Sequence, residues 1–202
     1  MDSPVTTEQL RAIITRSRKH DRRPPFLRGL IGAKRPVNKY YNAIYEIART
    51  LKPERVLELG VFRGVSAAHW ALGNPEGQVY GIDCNPQPLL NQVKRIDNFH
   101  FILNETVRAA DSVARNGPWD VVFFDSVHVY DQITAEVEAY TPQMAEQGFQ
   151  LFDDIAKREG MRRFWSELRG DKDTYPNLSP HGFGVRVSWP EQQERLPLEY
   201  AD

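Results

Sequence analysis

Asp125, His128, Asp153 and Asp154 are the residues whose types and spacing speak most directly to chemistry. Asp125 closes the apolar run 119–124, and His128 follows it by three residues. Asp153 and Asp154 close a second apolar run, 149–152. If the two runs are neighbouring strands, about 4.8 Å apart, the three carboxylates meet at one end. Carboxylates crowded without a cation repel and raise one another's pKa. A divalent ion relieves that repulsion, and oxygen-only ligation suits Mg²⁺ or Mn²⁺ over zinc. Asp125, Asp153 and Asp154 are therefore the expected metal ligands. Such an ion lowers the pKa of a bound hydroxyl and orients it. His128 is the expected base for the hydroxyl proton, because an imidazole titrates near neutrality. Asp125 is the second expected catalytic residue. Asp154 also suits the N-cap of a following helix, and His128 a helix entry.

A second constellation precedes these acids. The segment Glu58-Leu-Gly60-Val-Phe62-Arg-Gly64 follows a short apolar run. A dinucleotide loop requires Gly-x-Gly-x-x-Gly, whose middle glycine lets backbone approach a pyrophosphate. Here Phe62 stands at that place, and no Gly-Lys-Ser/Thr P-loop occurs. Glycine at both ends still permits a tight turn and close approach of an uncharged ligand backbone. Glu58 repels phosphate but attracts an ammonium group, directly or through water. Asp83 lies 23 residues past Gly60, near the offset of about 20 at which an acid meets ribose hydroxyls. A ligand with a ribose, an amino group and no pyrophosphate is described, and S-adenosylmethionine fits. Its expected contacts are Glu58, Gly60, Phe62, Gly64, Asp83 and Asp125.

These residues depend on elements that hold them at one edge. Helical spacing of apolar residues predicts helices over 7–19 (N-cap Thr6 or Thr7), 38–50, 66–72, 86–93, 106–116, 130–146 and 160–168. Short apolar runs predict strands over 55–59, 78–82, 99–103, 119–124, 149–152 and 184–189. Strand–helix alternation with near-continuous apolar strands indicates an α/β, Rossmann-like, doubly wound and mostly parallel sheet. Ligands bind such sheets beyond the carboxyl ends of the strands, where the acids above fall. His69, Trp70 and His100 are expected to be structural. Glu136 and Glu138 are expected on a solvated helix face. Tyr40, Tyr41, Trp165, His181 and Phe183 suit either core or an acceptor pocket.

The 202 residues carry 26 Lys+Arg and 27 Asp+Glu, a net charge of -1. That excludes a generally basic nucleic-acid coater. A single cysteine, Cys84, excludes an internal disulfide framework and a Cys-rich zinc site. No apolar run approaches the roughly 20 residues that cross a bilayer, and a cytoplasmic protein is expected. The average conceals a split: ten basic residues lie between Arg11 and Lys39, opposed only by Asp21, while residues 40–202 are net -8. Residues 1–39 are thus set apart as a basic N-terminal extension, irregular over 20–37, before a domain of 40–202. The extension reads as a solvated arm, or as a lid or docking surface for an anionic partner.

Val56-Leu-Glu-Leu-Gly-Val-Phe-Arg-Gly64 resembles the first motif of class I S-adenosylmethionine-dependent methyltransferases. Phe123-Phe-Asp-Ser-Val-His-Val-Tyr130, Leu151-Phe-Asp-Asp154 and Gly160-Met-Arg-Arg-Phe-Trp165 resemble a narrower group. It comprises the macrocin and mycinamicin sugar O-methyltransferases, with cephalosporin-hydroxylase-like proteins sharing the motifs. The resemblance spans roughly residues 38–189 and implies Mg²⁺ on Asp125, Asp153 and Asp154 and a catalytic base at His128. It also places Glu105 near the adenine. Ser126 stands where the group commonly has Gly, Asp153 where it often has Glu, and Asn104-Glu105 where Gly-Asp is commoner. The expected activity is Mg-assisted O-methylation of a hydroxylated small molecule such as a sugar or natural product. Two other readings stand beside it. One is a nucleic-acid or ribosome-associated methyltransferase that uses the basic arm. The other is a non-catalytic cofactor-binding protein that self-associates into a homo-oligomer.

Overall fold

The computed structural model describes residues 5–31 and 39–187. The sheet is built from segments that carry apolar side chains on both faces. β1 (Arg55–Leu59), β2 (Gln78–Asp83), β3 (Phe99–Leu103) and β4 (Trp119–Phe124) run parallel. β5 (Met144–Phe152) is parallel to β4, while β7 (Phe183–Val187) is antiparallel to both β5 and β6 (Asp171–Tyr175). Among the described residues the order is β3-β2-β1-β4-β5-β7-β6. The chain leaves β1 toward one edge and returns beside it with β4, so the switch point lies between β1 and β4. The α/β class and the mostly parallel sheet agree with the sequence expectation.

Alternation divides the core into two layers. Val56, Val121, Phe123, Leu151 and Val185 face α3 (Tyr40–Leu51) and α4 (Val65–Gly73). Leu57, Leu59, Val122, Phe124 and Phe152 face α5 (Thr106–Val113), α6 (Tyr130–Tyr140) and α7 (Glu159–Glu167). Aromatic pairs tie neighbouring strands, with Phe124 and Phe152 stacked at 4.7 Å.

The structure corrects several expected bounds. Residues 86–93 form turns ending in a 3₁₀ segment at Val93–Arg95, not a helix. Pro88 disfavours helical backbone at Gln87, so no helix propagates from Pro86. α6 ends at Tyr140, six residues early, because Pro142 follows and the chain enters β5 at Met144. β6, a polar edge strand, was not foreseen. Trp189, at the end of the expected last strand, lies outside the described residues.

The basic segment departs most from its expected form. α1 (Thr7–Ser17) begins in a capping box: Thr6 Oγ1 accepts from Gln9 N at 3.2 Å, and Thr6 N donates to Gln9 Oε1 at 3.0 Å. Leu10, Ile13 and Ile14 are buried in the same core layer as α3. At its flank Arg11 pairs with Asp173 at 2.9 Å, and Thr7 Oγ1 donates to Asp171 at 3.0 Å. Residues expected to be irregular include α2 (Pro25–Ile31), whose Leu27 is fully buried. α1 and α2 are therefore packed onto the sheet layer, while residues 18–22 between them are exposed. Lys34 and Arg35 lie outside the described residues.

Candidate functional site

The parallel ladder continues one hydrogen bond past the strands and thereby lines up the loops. Gly60 N donates to Ile82 O at 2.9 Å, Asp125 N to Leu59 O at 2.9 Å and Asp153 N to Phe124 O at 3.1 Å. Asp125 is thus fixed beside Gly60, and Asp153 beside Asp125. Gly60 has φ +89°, and a Cβ there would sit 2.3 Å from Asp125 O. Gly64, at φ +75°, forms the N-cap of α4. Both glycines are needed for the backbone.

Asp83 closes the glycine loop from below. Its Oδ2 accepts from Val61 N at 2.9 Å and Phe62 N at 2.8 Å, and its Oδ1 from Asn85 N at 2.8 Å. Phe62, at φ +47°, is 58% exposed above that loop. Glu58 is fully buried beneath it and accepts from Ser66 Oγ at 2.5 Å, while its Oε2 has no partner. Burial, with Asp83 adding repulsion, pushes the Glu58 carboxyl up to about 8.

A cleft of about 370 Å³ opens over this loop. It brings together Gly60, Phe62, Asp125, His128 and Asp154 among the residues singled out from sequence, with Lys157 beside them. Leu30 of α2, Tyr40 and Tyr41 form its apolar wall, so the basic segment contributes to the site. Glu58, Gly64, Asp83 and Asp153 lie below or behind the cleft lining. Glu105 is turned to Arg108 at 3.0 Å and is largely exposed. Trp165 and Phe183 pack in the sheet layers, against Phe152 and Tyr40 respectively.

His128 Nε2 is 3.6 Å from Asp125 Oδ1 and 3.8 Å from Asp154 Oδ2, buried and without a hydrogen-bond partner. Burial pushes its pKa down to about 4, against the opposing pull of Asp154. The imidazole is therefore neutral at pH 7, and burial makes it a weaker base than the near-neutral imidazole expected from the sequence. Burial also raises Asp125 well above the usual carboxylate range, with repulsion from Asp153, Glu58 and Asp154 adding to it. Asp153, pushed up to about 7 by burial and then by Asp154, keeps a buried Oδ1 without a partner. Asp154 holds a left-handed backbone, φ +55°, and its Oδ2 accepts from Lys157 Nζ at 2.5 Å. Among the described residues no group of three or more His, Cys, Asp or Glu side chains is arranged to hold a metal ion.

Two features escaped the sequence. Glu136, expected on a solvated face, is fully buried. It accepts from Thr106 Oγ1 at 2.5 Å, Ser126 Oγ at 2.7 Å and Gln132 Nε2 at 2.9 Å. Its spacing from Ile133 and Tyr140 puts it on the inner stripe of α6, a signal present in the sequence. Lys157 is the other: its three-residue offset from Asp154 was readable, but its approach to the cleft was not.

Residues 57–155 match the model of a family named "Methyltransferase domain". Demethylmacrocin O-methyltransferase of Streptomyces fradiae is 25% identical over 126 residues, 59% of this chain and 30% of that protein. The chain spans 18–30% of the length of the curated relatives it matches. Among solved structures, the O-methyltransferase TomG of Streptomyces achromogenes, in complex with SAM, superposes with a TM-score of 0.68. It is 17% identical, over 92% of this chain and 100% of that one. The MycE methyltransferase, in complex with Mg, SAH and mycinamycin VI, gives a TM-score of 0.62. It is 20% identical, over 88% of this chain and 58% of that one. The fold is that of class I methyltransferases, as the motifs implied.

Proposed function

Since the chain carries, over residues 57–155, a domain of this methyltransferase family, we propose that it moves a methyl group from S-adenosylmethionine to a hydroxyl of a small molecule. The observation that carries this reading is the neutral, partnerless Nε2 of His128, buried in the cleft between Asp125 and Asp154. The glycine loop from Gly60 to Gly64 forms the cofactor side, held from beneath by the buried Glu58 and by Asp83. His128 takes the acceptor's proton at Nε2, and Asp125 and Asp154 stabilise the imidazolium that results. The acceptor oxygen bonds the methyl carbon as the carbon–sulfur bond breaks, and its electrons return to sulfur. The cleft walls hold the two reactants in line and exclude water, which accounts for much of the expected acceleration. Leu30, Tyr40 and Tyr41 give the acceptor an apolar surface.

Asp125, Asp153 and Asp154 would hold Mg²⁺ or Mn²⁺. Their donors are all oxygen, and the orphaned Oδ1 of Asp153 is a buried acceptor in need of a cation. Such an ion, when bound, lowers the pKa of a substrate hydroxyl.

The test is incubation with methyl-labelled S-adenosylmethionine, Mg²⁺ and fractionated cell extract. Label is expected in a nuclease-resistant, small-molecule fraction. Label lost to nuclease would transfer the reading to a nucleic-acid acceptor. Cofactor binding without labelling of any fraction would favour a non-catalytic role. Once an acceptor is found, His128→Ala should lower kcat at least 100-fold while the Kd for S-adenosylhomocysteine stays within about twofold. The reverse pattern assigns His128 to binding.

A further inference from the structure

The proposed cation site holds a positive charge of the protein's own. Lys157 Nζ lies 2.5 Å from Asp154 Oδ2, the oxygen that also faces His128 Nε2 at 3.8 Å. The chain path builds this pairing. Asp154 adopts a left-handed backbone at φ +55°, and Lys157 N donates to Asp154 O at 3.0 Å, turning the lysine back over the aspartate. Ala156 N donates to His181 O at 2.8 Å and Ile155 N to Gly182 O at 3.3 Å, which pins the turn to the segment before β7. The other two acids are placed differently. Asp125 follows β4 by the ladder, and Asp153 is buried with a free Oδ1. Asp154 is the member of the trio whose carboxylate is already engaged by a cation, and among the described residues the trio is not arranged as a metal site.

We propose that Lys157 is a built-in competitor for the divalent ion, its ammonium occupying Asp154 until the metal displaces it. The inference rests on the reading that Asp125, Asp153 and Asp154 hold Mg²⁺ or Mn²⁺. Displacement is structurally easy, because the Lys157 side chain is 36% exposed and has water to enter. The ion must nevertheless compete with a paired charge, and the displaced ammonium still repels it at short range. Metal affinity is thereby held down. The acids are neutralised in part when no metal is bound, so the loop keeps its form through cycles of loading and release. In the acceptor cleft the same lysine, once released, faces solvent and the entering substrate.

The experiment titrates Mn²⁺ alone, followed by electron paramagnetic resonance, into the full chain and three variants at low ionic strength. No methyl acceptor is required. Lys157→Met removes the competing charge and should bind Mn²⁺ at least tenfold more tightly than the parent. Lys157→Arg retains the charge and should stay within about threefold of the parent. Asp154→Asn locates the site: the Mn²⁺ bound by the parent and by Lys157→Met should be lost from it. A Lys157→Met protein no tighter than the parent overturns the competition but leaves the metal reading standing, as does a Lys157→Arg protein as tight as Lys157→Met. If neither the parent nor Lys157→Met takes up Mn²⁺ in a manner that Asp154→Asn abolishes, the metal reading fails and the inference falls with it.

Discussion

Glu58 shows how burial turns one carboxylate into a pH sensor for the whole fold. Its folded-state pKa of about 8 lies above the ordinary 4.5, so the native chain binds a proton that the unfolded chain has released. Stability from that proton is fully present below about pH 4.5 and is lost as pH rises toward 8. Asp153, raised to about 7, has the same sign. His128 and His69, lowered to about 4 and about 3, act oppositely, adding stability as pH rises toward 6.5. Above pH 6.5 the unfolded histidines finish losing their protons and offset the acids only in part, so the acids decide the sign of the slope. Thermal unfolding should therefore show lower stability at pH 8.0 than at pH 6.5, with Glu58 contributing roughly 2 kcal/mol over that interval. Glu58→Gln keeps an acceptor for Ser66 and should remove much of the decline; an unchanged decline would exclude Glu58 as its source. Sequence revealed that Glu58 sits at a strand end beside a glycine loop. It did not reveal the full burial, which depends on Ser66 and on the layer packed above.

At the scale of elements, Glu136 joins two loops through α6. It accepts from Thr106 at the start of α5 and from Ser126 between Asp125 and His128. The start of α5 and the loop that carries the base are thus held by one buried carboxylate. Glu136→Ala strips three side-chain donors of their acceptor and leaves a cavity, at a cost of about 2–4 kcal/mol. Hydrogen exchange should then quicken at Thr106 and through 126–128 more than at β1, and uniform quickening would assign Glu136 to general stability alone. The elements themselves were unevenly legible. The bounds of β1, β3 and β4 are legible to the residue, because each is a short, mostly apolar run closed by turn signals and too short for a helix. β6, Asp-Lys-Asp-Thr-Tyr, has no apolar pattern, since it lies at the sheet edge and pairs on one side only. The expected helix overruns α6 because Met144 and Ala145, in the first half of β5, continue a helical spacing past Pro142. Likewise the meeting of Lys157 with Asp154 depends on a left-handed residue, which spacing does not announce.

For the whole molecule, the near-neutral charge conceals a basic segment laid on an acidic body. The first helix is held by two kinds of contact whose magnitudes differ. Leu10, Ile13 and Ile14 are buried at 0–3% exposure within the layer that contains α3. Arg11 and Asp173 make a solvent-exposed pair, the sort that contributes little and is screened by salt. If apolar burial dominates, Ile14→Ala should destabilise the whole domain by about 2–4 kcal/mol, whereas Arg11→Ala should leave the urea midpoint nearly unmoved. Raising salt from 0.05 M to 0.5 M should likewise change the parent midpoint little. α2 extends the same argument to the site, for Leu27 is buried in that layer while Leu30 lines the cleft. Loosening α1 should then loosen the cleft wall that Leu30 forms beside the glycine loop, and S-adenosylhomocysteine bound in that cleft should bind more weakly. Calorimetric titration of Ile14→Ala at 10 °C and 30 °C tests this coupling. Affinity that stays at the parent value while the variant is measurably destabilised would show that the segment serves the core alone, with the cleft closed by residues of the sheet.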